Sequence, residues 1–134
     1  MLDPSDIFSL DKVFFPINIH GLHWALAVAF MQSKKIMYYD SQSGPGKLYL
    51  EALRRYIGDE ARAKKRPFSE TEWELLDASV PQQRNGYDCG VFTCMFADLV
   101  LDDIDVSNLD QSMMQDFRRK ICYAILRRQI PYPL

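Results

Sequence analysis

No stretch of this sequence approaches the roughly 20 consecutive apolar residues that a membrane-spanning helix requires. Nor is there a surplus of basic charge. Sixteen Lys and Arg stand against eighteen Asp and Glu, a net charge of -2, so nothing in the balance calls for nucleic acid as a partner. Cysteines number three (Cys89, Cys94, Cys122), an odd and small count that builds no disulfide framework. Internal repeats, low-complexity tracts and linkers are lacking too. The opening run Met1-Leu2-Asp3-Pro4-Ser5-Asp6 is acidic where a secretory signal would be basic and then apolar. Together these absences lead us to expect a reducing compartment, nuclear or cytoplasmic, with no membrane and no nucleic acid among the partners.

What is present is a chain of 134 residues, enough for one domain with a real core, at 48% hydrophobic and 25% charged content. Its most informative residue is Cys89. It follows the polar, turn-rich run Gln82-Gln83-Arg84-Asn85-Gly86-Tyr87-Asp88, which suits an exposed position. It precedes Val91 to Leu101, interrupted only by Thr93 and Asp98, which reads as a helix apolar all round and therefore central to the domain. A cysteine in the first turn of such a helix meets the positive end of the helix dipole, which favours thiolate over thiol.

The remaining pattern supplies a sheet. Val13 to Ile19 reads as a strand, with Pro16 marking an edge or bulge. The continuous apolar run Trp24 to Phe30 reads as a strand buried on both faces. Lys35 to Tyr39 is a third strand, and Trp73 to Val80 a fourth. Between them Lys47 to about Arg62 is helical, its apolar side formed by Leu48, Leu50, Ala52, Leu53, Tyr56 and Ile57. A last helix from about Gln111 to Gln129 carries Met114, Phe117, Ile121 and Ile125 at helical spacing and is stopped by Pro131 and Pro133. The order strand, strand, strand, helix, strand, helix, helix predicts an α+β domain with a mixed sheet.

His23 opens the second strand and Asp40 closes the third. The link between them centres near Gln32, nine residues after His23 and eight before Asp40. An antiparallel hairpin would bring the two to the same end of adjacent strands. A carboxylate beside a histidine holds one tautomer and stabilises the imidazolium, and a nearby cysteine would complete nucleophile, base and orienter. Taken alone, Asp40 would more simply open the Ser41 to Gly46 turn, and it is His23 across the hairpin that favours the pair. A zinc site formed by His20, His23, Cys89 and Cys94 is disfavoured. Residues three apart on a strand point to opposite faces, and no Cys-x-x-Cys pair exists. We therefore expect no metal and no cofactor. Cys94 and Cys122 are read as core thiols, Lys64-Lys65-Arg66 as a solvated helix end, and Arg118, Arg119, Lys120, Arg127 and Arg128 as the wet face of the last helix.

Three segments, Gly21-Leu22-His23-Trp24-Ala25-Leu26-Ala27-Val28, Tyr38-Tyr39-Asp40-Ser41 and Pro81-Gln82-Gln83-Arg84-Asn85-Gly86-Tyr87-Asp88-Cys89-Gly90, carry a resemblance to the ubiquitin-like-protein proteases, above all the SUMO (sentrin)-specific cysteine proteases. Weaker similarity runs from Asp6-Ile7-Phe8 to Phe117-Arg118-Arg119-Lys120. The resemblance implies a papain-like cysteine protease fold in which a buried helix carries the catalytic cysteine at its start. It implies Cys89 as nucleophile, His23 as base and then acid, Asp40 as its orienter, Gln83 as oxyanion donor, and Trp24 as the cover of a Gly-Gly tail. The implied partner is SUMO or another ubiquitin-like modifier and its conjugates. A Nedd8-type deconjugase, or a binding module with little turnover, is the alternative. The family's amino-terminal Trp-Leu-Asn-Asp-like segment has no counterpart, since the tryptophans are Trp24 and Trp73 alone. We therefore expect residues 1–134 to form a single catalytic domain without that segment.

Overall fold

The computed structural model describes residues 3–130. Its centre is β2, His23–Phe30, in a four-stranded sheet of order β1-β2-β3-β4, with β1 spanning Lys12–Ile19, β3 Lys35–Tyr39 and β4 Glu74–Asp77. The first three strands form an antiparallel meander, and β4 joins β3 in parallel after a crossover through α1, Lys47–Ala63. Pro16 sits on the edge strand β1, where its missing N–H costs no ladder bond to a second neighbour.

Alternation along β2 decides which helix goes where. Ala25, Ala27 and Ala29 share the core on one face with Leu50 and Ile57 of α1, together with Ile36, Tyr38 and Trp73. The small methyl groups leave room for a helix to pack close. Leu26 and Val28 point to the opposite face, where they meet Phe92, Met95 and Phe96 of α2, Cys89–Leu101. The third helix, α3, Met114–Arg127, adds Met114, Phe117 and Ile121 to that core. The sheet is thus covered on both faces, as the unbroken apolar run of β2 predicts.

Several expectations need correction. The helix α2 is not apolar all round toward protein. Leu101 is 60% exposed and Cys94 lies open, and both line an apolar groove of about 550 Å³ between α2 and α3 to which Phe14 also contributes. Cys122 is exposed as well, so neither cysteine is a core thiol. Ile125 shares the helical spacing of Met114, Phe117 and Ile121 but is 71% exposed, since by that turn α3 has run past the core. The buried side of α1 is Leu50, Ile57, Gly58 and Ala61, while Leu48, Ala52 and Tyr56 face outward. Strand β4 keeps only Glu74–Asp77 of the longer expected stretch, because pairing with β3 ends at Tyr38. Gln111–Met113 forms a separate 3₁₀ turn before α3. The expected stops Pro131 and Pro133 lie outside the described residues.

Polar groups tie the layers at their ends. Lys64 and Arg66 are not merely solvated. Both pair with Asp6, and the Arg66 guanidinium lies over the Phe8 ring, pinning the amino-terminal turn to the end of α1. Lys12 reaches across from β1 to the far end of α2, where its ammonium donates to the carbonyls of Val100 (2.9 Å) and Leu101 (3.2 Å) and pairs with Asp103. A cation there satisfies last-turn carbonyls and meets the negative end of the helix dipole. Lys12→Met should therefore destabilise the fold by about 1 kcal/mol. The check is the urea midpoint, which should fall without a change in slope. An unchanged midpoint would mean that water replaces the ammonium without loss.

Candidate active site

The site is assembled where β2 begins, β3 ends and α2 begins. Antiparallel pairing of Leu26 with Tyr39 brings His23 and Asp40 to the same end of the sheet. His23 Nε2 stands 2.7 Å from Asp40 Oδ1, with both side chains largely shielded from solvent. An ionised carboxylate can only accept, so Nε2 carries the proton and Nδ1 presents its lone pair. Nδ1 is buried and has no hydrogen-bond partner among the described residues. It is the nitrogen left for chemistry.

Asp40 does more than hold histidine. Its Oδ1 also accepts from the backbone N–H of Gln42 (2.8 Å), and Oδ2 accepts from the N–H of Gly44 (3.2 Å) and faces the Tyr38 hydroxyl (3.4 Å). Asp40 makes both sets of bonds at once, to its own turn and to His23. Turn bonds fix the carboxylate, and the fixed carboxylate fixes the imidazole. Burial, with the Asp40 charge adding to it, pushes the Tyr38 hydroxyl well above its ordinary range, so Tyr38 stays protonated and donates.

Ser41 carries this order to the next loop. Its carbonyl accepts from the Gln83 N–H (2.8 Å), and its hydroxyl donates to Gln83 Oε1 (2.6 Å). The other end of the same amide faces the Asn85 carbonyl at 2.6 Å. A carbonyl only accepts, so that end must be the NH₂ group, and the orientation of Gln83 is settled by its neighbours. One amide hydrogen is used by Asn85, and the second is left for another acceptor.

Cys89 starts α2 and is 7% exposed, so the thiol is buried rather than open, which corrects the expectation raised by its polar approach. Helix α2 lies across β2, and Gly90 packs against Trp24, whose Cδ1 is 3.7 Å from where a side chain at position 90 would begin. Cys89 and His23 thus precede two residues in mutual contact. No hydrogen bond joins them directly among those of the described residues. Trp24 is 43% exposed, with Tyr87 more so, and the two line a groove of about 390 Å³ with Cys89, Gly90 and Arg118.

Sequence reasoning assigned no part to Ser41, Asn85, Asp88, Gln111 or Arg118. Asp88 is buried next to Cys89. Its Oδ1 accepts from Arg118 (2.7 Å), and its Oδ2 accepts from Asn85 (2.8 Å) and Gln111 (2.8 Å). Burial alone would raise this carboxyl, but those three hydrogen bonds and the Arg118 charge outweigh it and hold it below its ordinary value. Arg118 and Gln111 lie more than twenty residues away and belong to no local motif, so only the fold could reveal them.

With this geometry in view, comparison with known proteins is specific. Residues 2–130 match the family model described as the Ulp1 protease family, C-terminal catalytic domain. Over 123 residues the chain is 35% identical to ubiquitin-like-specific protease ESD4 of Arabidopsis thaliana, covering 90% of this chain and 25% of that protein. It is 33% identical to sentrin-specific protease 2 of Mus musculus, covering 93% of this chain and 22% of that one. Among solved structures it resembles the C-terminal Ulp1 protease domain in complex with Smt3, the yeast orthologue of SUMO, at 33% identity and a TM-score of 0.82, covering 91% of this chain and 55% of that chain. A related structure, at the same identity and TM-score, is of Ulp1 with its catalytic cysteine oxidised to a sulfonic acid, covering 92% of this chain and 56% of that chain. The chain thus spans about a quarter of the length of these curated relatives.

Two substitutions probe the site. Gln83→Ala should lower kcat by about 10²–10³-fold, the scale of one lost oxyanion donor, while alkylation of Cys89 by a small reagent stays near normal because no oxyanion forms. Equal slowing of both reactions would make Gln83 a loop-shaping residue. Asp40→Asn should lower kcat by about 10²-fold, short of the loss caused by His23→Ala. An unchanged kcat accompanied by a lowered melting temperature would reduce Asp40 to its turn bonds.

Proposed function

The chain belongs to the Ulp1 protease family, and from that membership and the corner where β2, β3 and α2 meet we propose a thiol protease that cleaves after the Gly-Gly tail of a ubiquitin-like modifier, SUMO before others. The observation that carries the reading is His23. Its Nε2 is engaged by Asp40 while its Nδ1 is buried and free, one residue from the Trp24–Gly90 contact that seats Cys89. A histidine so divided is held in one tautomer with its open lone pair ready to take a proton and later return it.

The steps follow from these positions. His23 Nδ1 accepts the thiol proton, and the Cys89 sulfur adds to the carbonyl carbon of the terminal glycine. The carbonyl oxygen becomes an oxyanion, stabilised by the spare Gln83 amide hydrogen and the backbone N–H of Cys89, which stands at the positive end of α2. The tetrahedral adduct collapses with loss of the amine, which takes the proton from Nδ1. Water then adds to the thioester with His23 as base, and Cys89 leaves with its proton restored. Trp24 and Tyr87 flank the groove in front of Cys89. A backbone without side chains can pass under such rings where a bulkier tail cannot, which is the physical case for a Gly-Gly tail. The names of the sentrin-specific relatives and the Smt3 complex favour SUMO over a Nedd8-type modifier.

The test is a panel of ubiquitin-like proteins, each bearing a C-terminal electrophile. SUMO should form a covalent adduct at Cys89, located by peptide mass spectrometry, and Cys89→Ala should form none. Binding without any adduct would make the chain a modifier-binding module. Adduct formation fastest with Nedd8 would keep the chemistry and change the substrate.

A further inference from the structure

Outside the residues that perform the chemistry above, the most highly connected buried polar group is the Asp88 carboxylate. It occupies the position just before α2, where an aspartate ordinarily turns back and caps the first N–H groups of the helix. Here it makes no capping bond. Arg118 of α3 draws Oδ1 the other way, and Asn85 and Gln111 hold Oδ2. Arg118 Nη2 also donates to the Tyr87 carbonyl at 3.1 Å, so a single guanidinium grips two consecutive residues of the loop before Cys89.

From Asp88 the bonds continue without a break. Asn85 Nδ2 donates to Asp88, the Asn85 carbonyl accepts from Gln83 Nε2, and Gln83 Oε1 accepts from Ser41, next to Asp40. We propose that Arg118 is a positioning residue for oxyanion stabilisation: through Asp88 and Asn85 it sets the orientation of the Gln83 amide, and it keeps the Asp88 charge turned away from the start of α2, where the oxyanion develops. The inference rests on the function proposed above and adds a residue on a third element, α3, to its machinery.

The energetics favour a role beyond packing. A carboxylate turned back to cap α2 would accept from the N–H groups of Gly90 and Val91 and place a like charge beside an oxyanion held at the Cys89 N–H. Arg118 holds that charge away. It is itself half-exposed and lines the groove with Cys89, so it reaches Asp88 from the solvent side without being part of the core.

The test uses the intact chain and Arg118→Met. With a fluorogenic modifier tail, kcat should fall about 10-fold with KM little changed, less than for direct loss of an oxyanion donor. Alkylation of Cys89 by a small reagent should stay near its normal rate. In a Gln83→Ala background the further loss from Arg118→Met should shrink, because the two act through one group. Losses that multiply fully, or alkylation that slows as much as turnover, would overturn the proposal. A readout independent of turnover is the Gln83 side-chain amide in the NMR spectrum, assigned by its disappearance in Gln83→Ala. It should shift or broaden in Arg118→Met, and an unmoved signal would overturn the proposal even if the wild-type chain hydrolyses nothing. Lack of wild-type turnover, by contrast, counts against the function reading alone. Should Arg118→Met fail to fold, Arg118→Lys, which keeps the charge and loses the fork, carries the same comparisons.

Discussion

The Asp40 carboxylate is the constraint on which the rest of the site depends. It lies buried at the end of β3 and accepts from His23, from the N–H of Gln42 and from the N–H of Gly44. A buried charge is tolerated only where its lone pairs are filled, and here backbone donors of its own turn fill those that the histidine leaves. The turn therefore has one shape, and the shape places Ser41, whose carbonyl and hydroxyl seize Gln83 from a loop forty residues later. His23 and Gln83 are thus held by two adjacent residues, Asp40 and Ser41. A displacement of that corner would move both together.

The scaffold that presents this corner comes from the alternation in β2. Three alanines on one face and Leu26 and Val28 on the other assign α1 and α2 to opposite sides of the sheet. Phe92, Met95 and Phe96 anchor α2 to the second face, and Lys12 holds its far end. With its axis set at both places, the first residue of α2 has little freedom. Gly90, next to Cys89, arrives against Trp24, the neighbour of His23, as a consequence of core packing rather than of any hydrogen bond between Cys89 and His23 among the described residues.

Much of this was legible in the residues. Strand β2 declared itself by an unbroken apolar run, the His23–Asp40 meeting by hairpin arithmetic, and Gln83 and Cys89 by a motif. What stayed hidden has physical causes. Ile125 has the same periodicity as Phe117, and only the length of the core beneath α3 decides that one is covered and the other is not. Cys94 sits in an apolar helix yet is exposed in a groove between α2 and α3, a feature of packing that spacing does not encode. Arg118 read as one more charge on a wet face. Its bond to Asp88 closes thirty residues of chain, and no local pattern announces a partner at that range.

The two ends of α2 are finished differently. At the carboxyl end, Lys12 supplies what a helix terminus asks for. At the amino end, an aspartate in the capping position is pulled away by three partners, and the first amides of the helix receive no side-chain cap. A missing cap costs about 1 kcal/mol. An acidic residue placed where it could recover that energy, and then restrained from doing so by a guanidinium and two amides, indicates that the helix start is kept for another acceptor. Departures of this kind concentrate where function competes with stability. Under the function proposed above, that competitor is the developing charge on a substrate carbonyl, which would find the Cys89 N–H and the positive end of a dipole at the same point as the nucleophile.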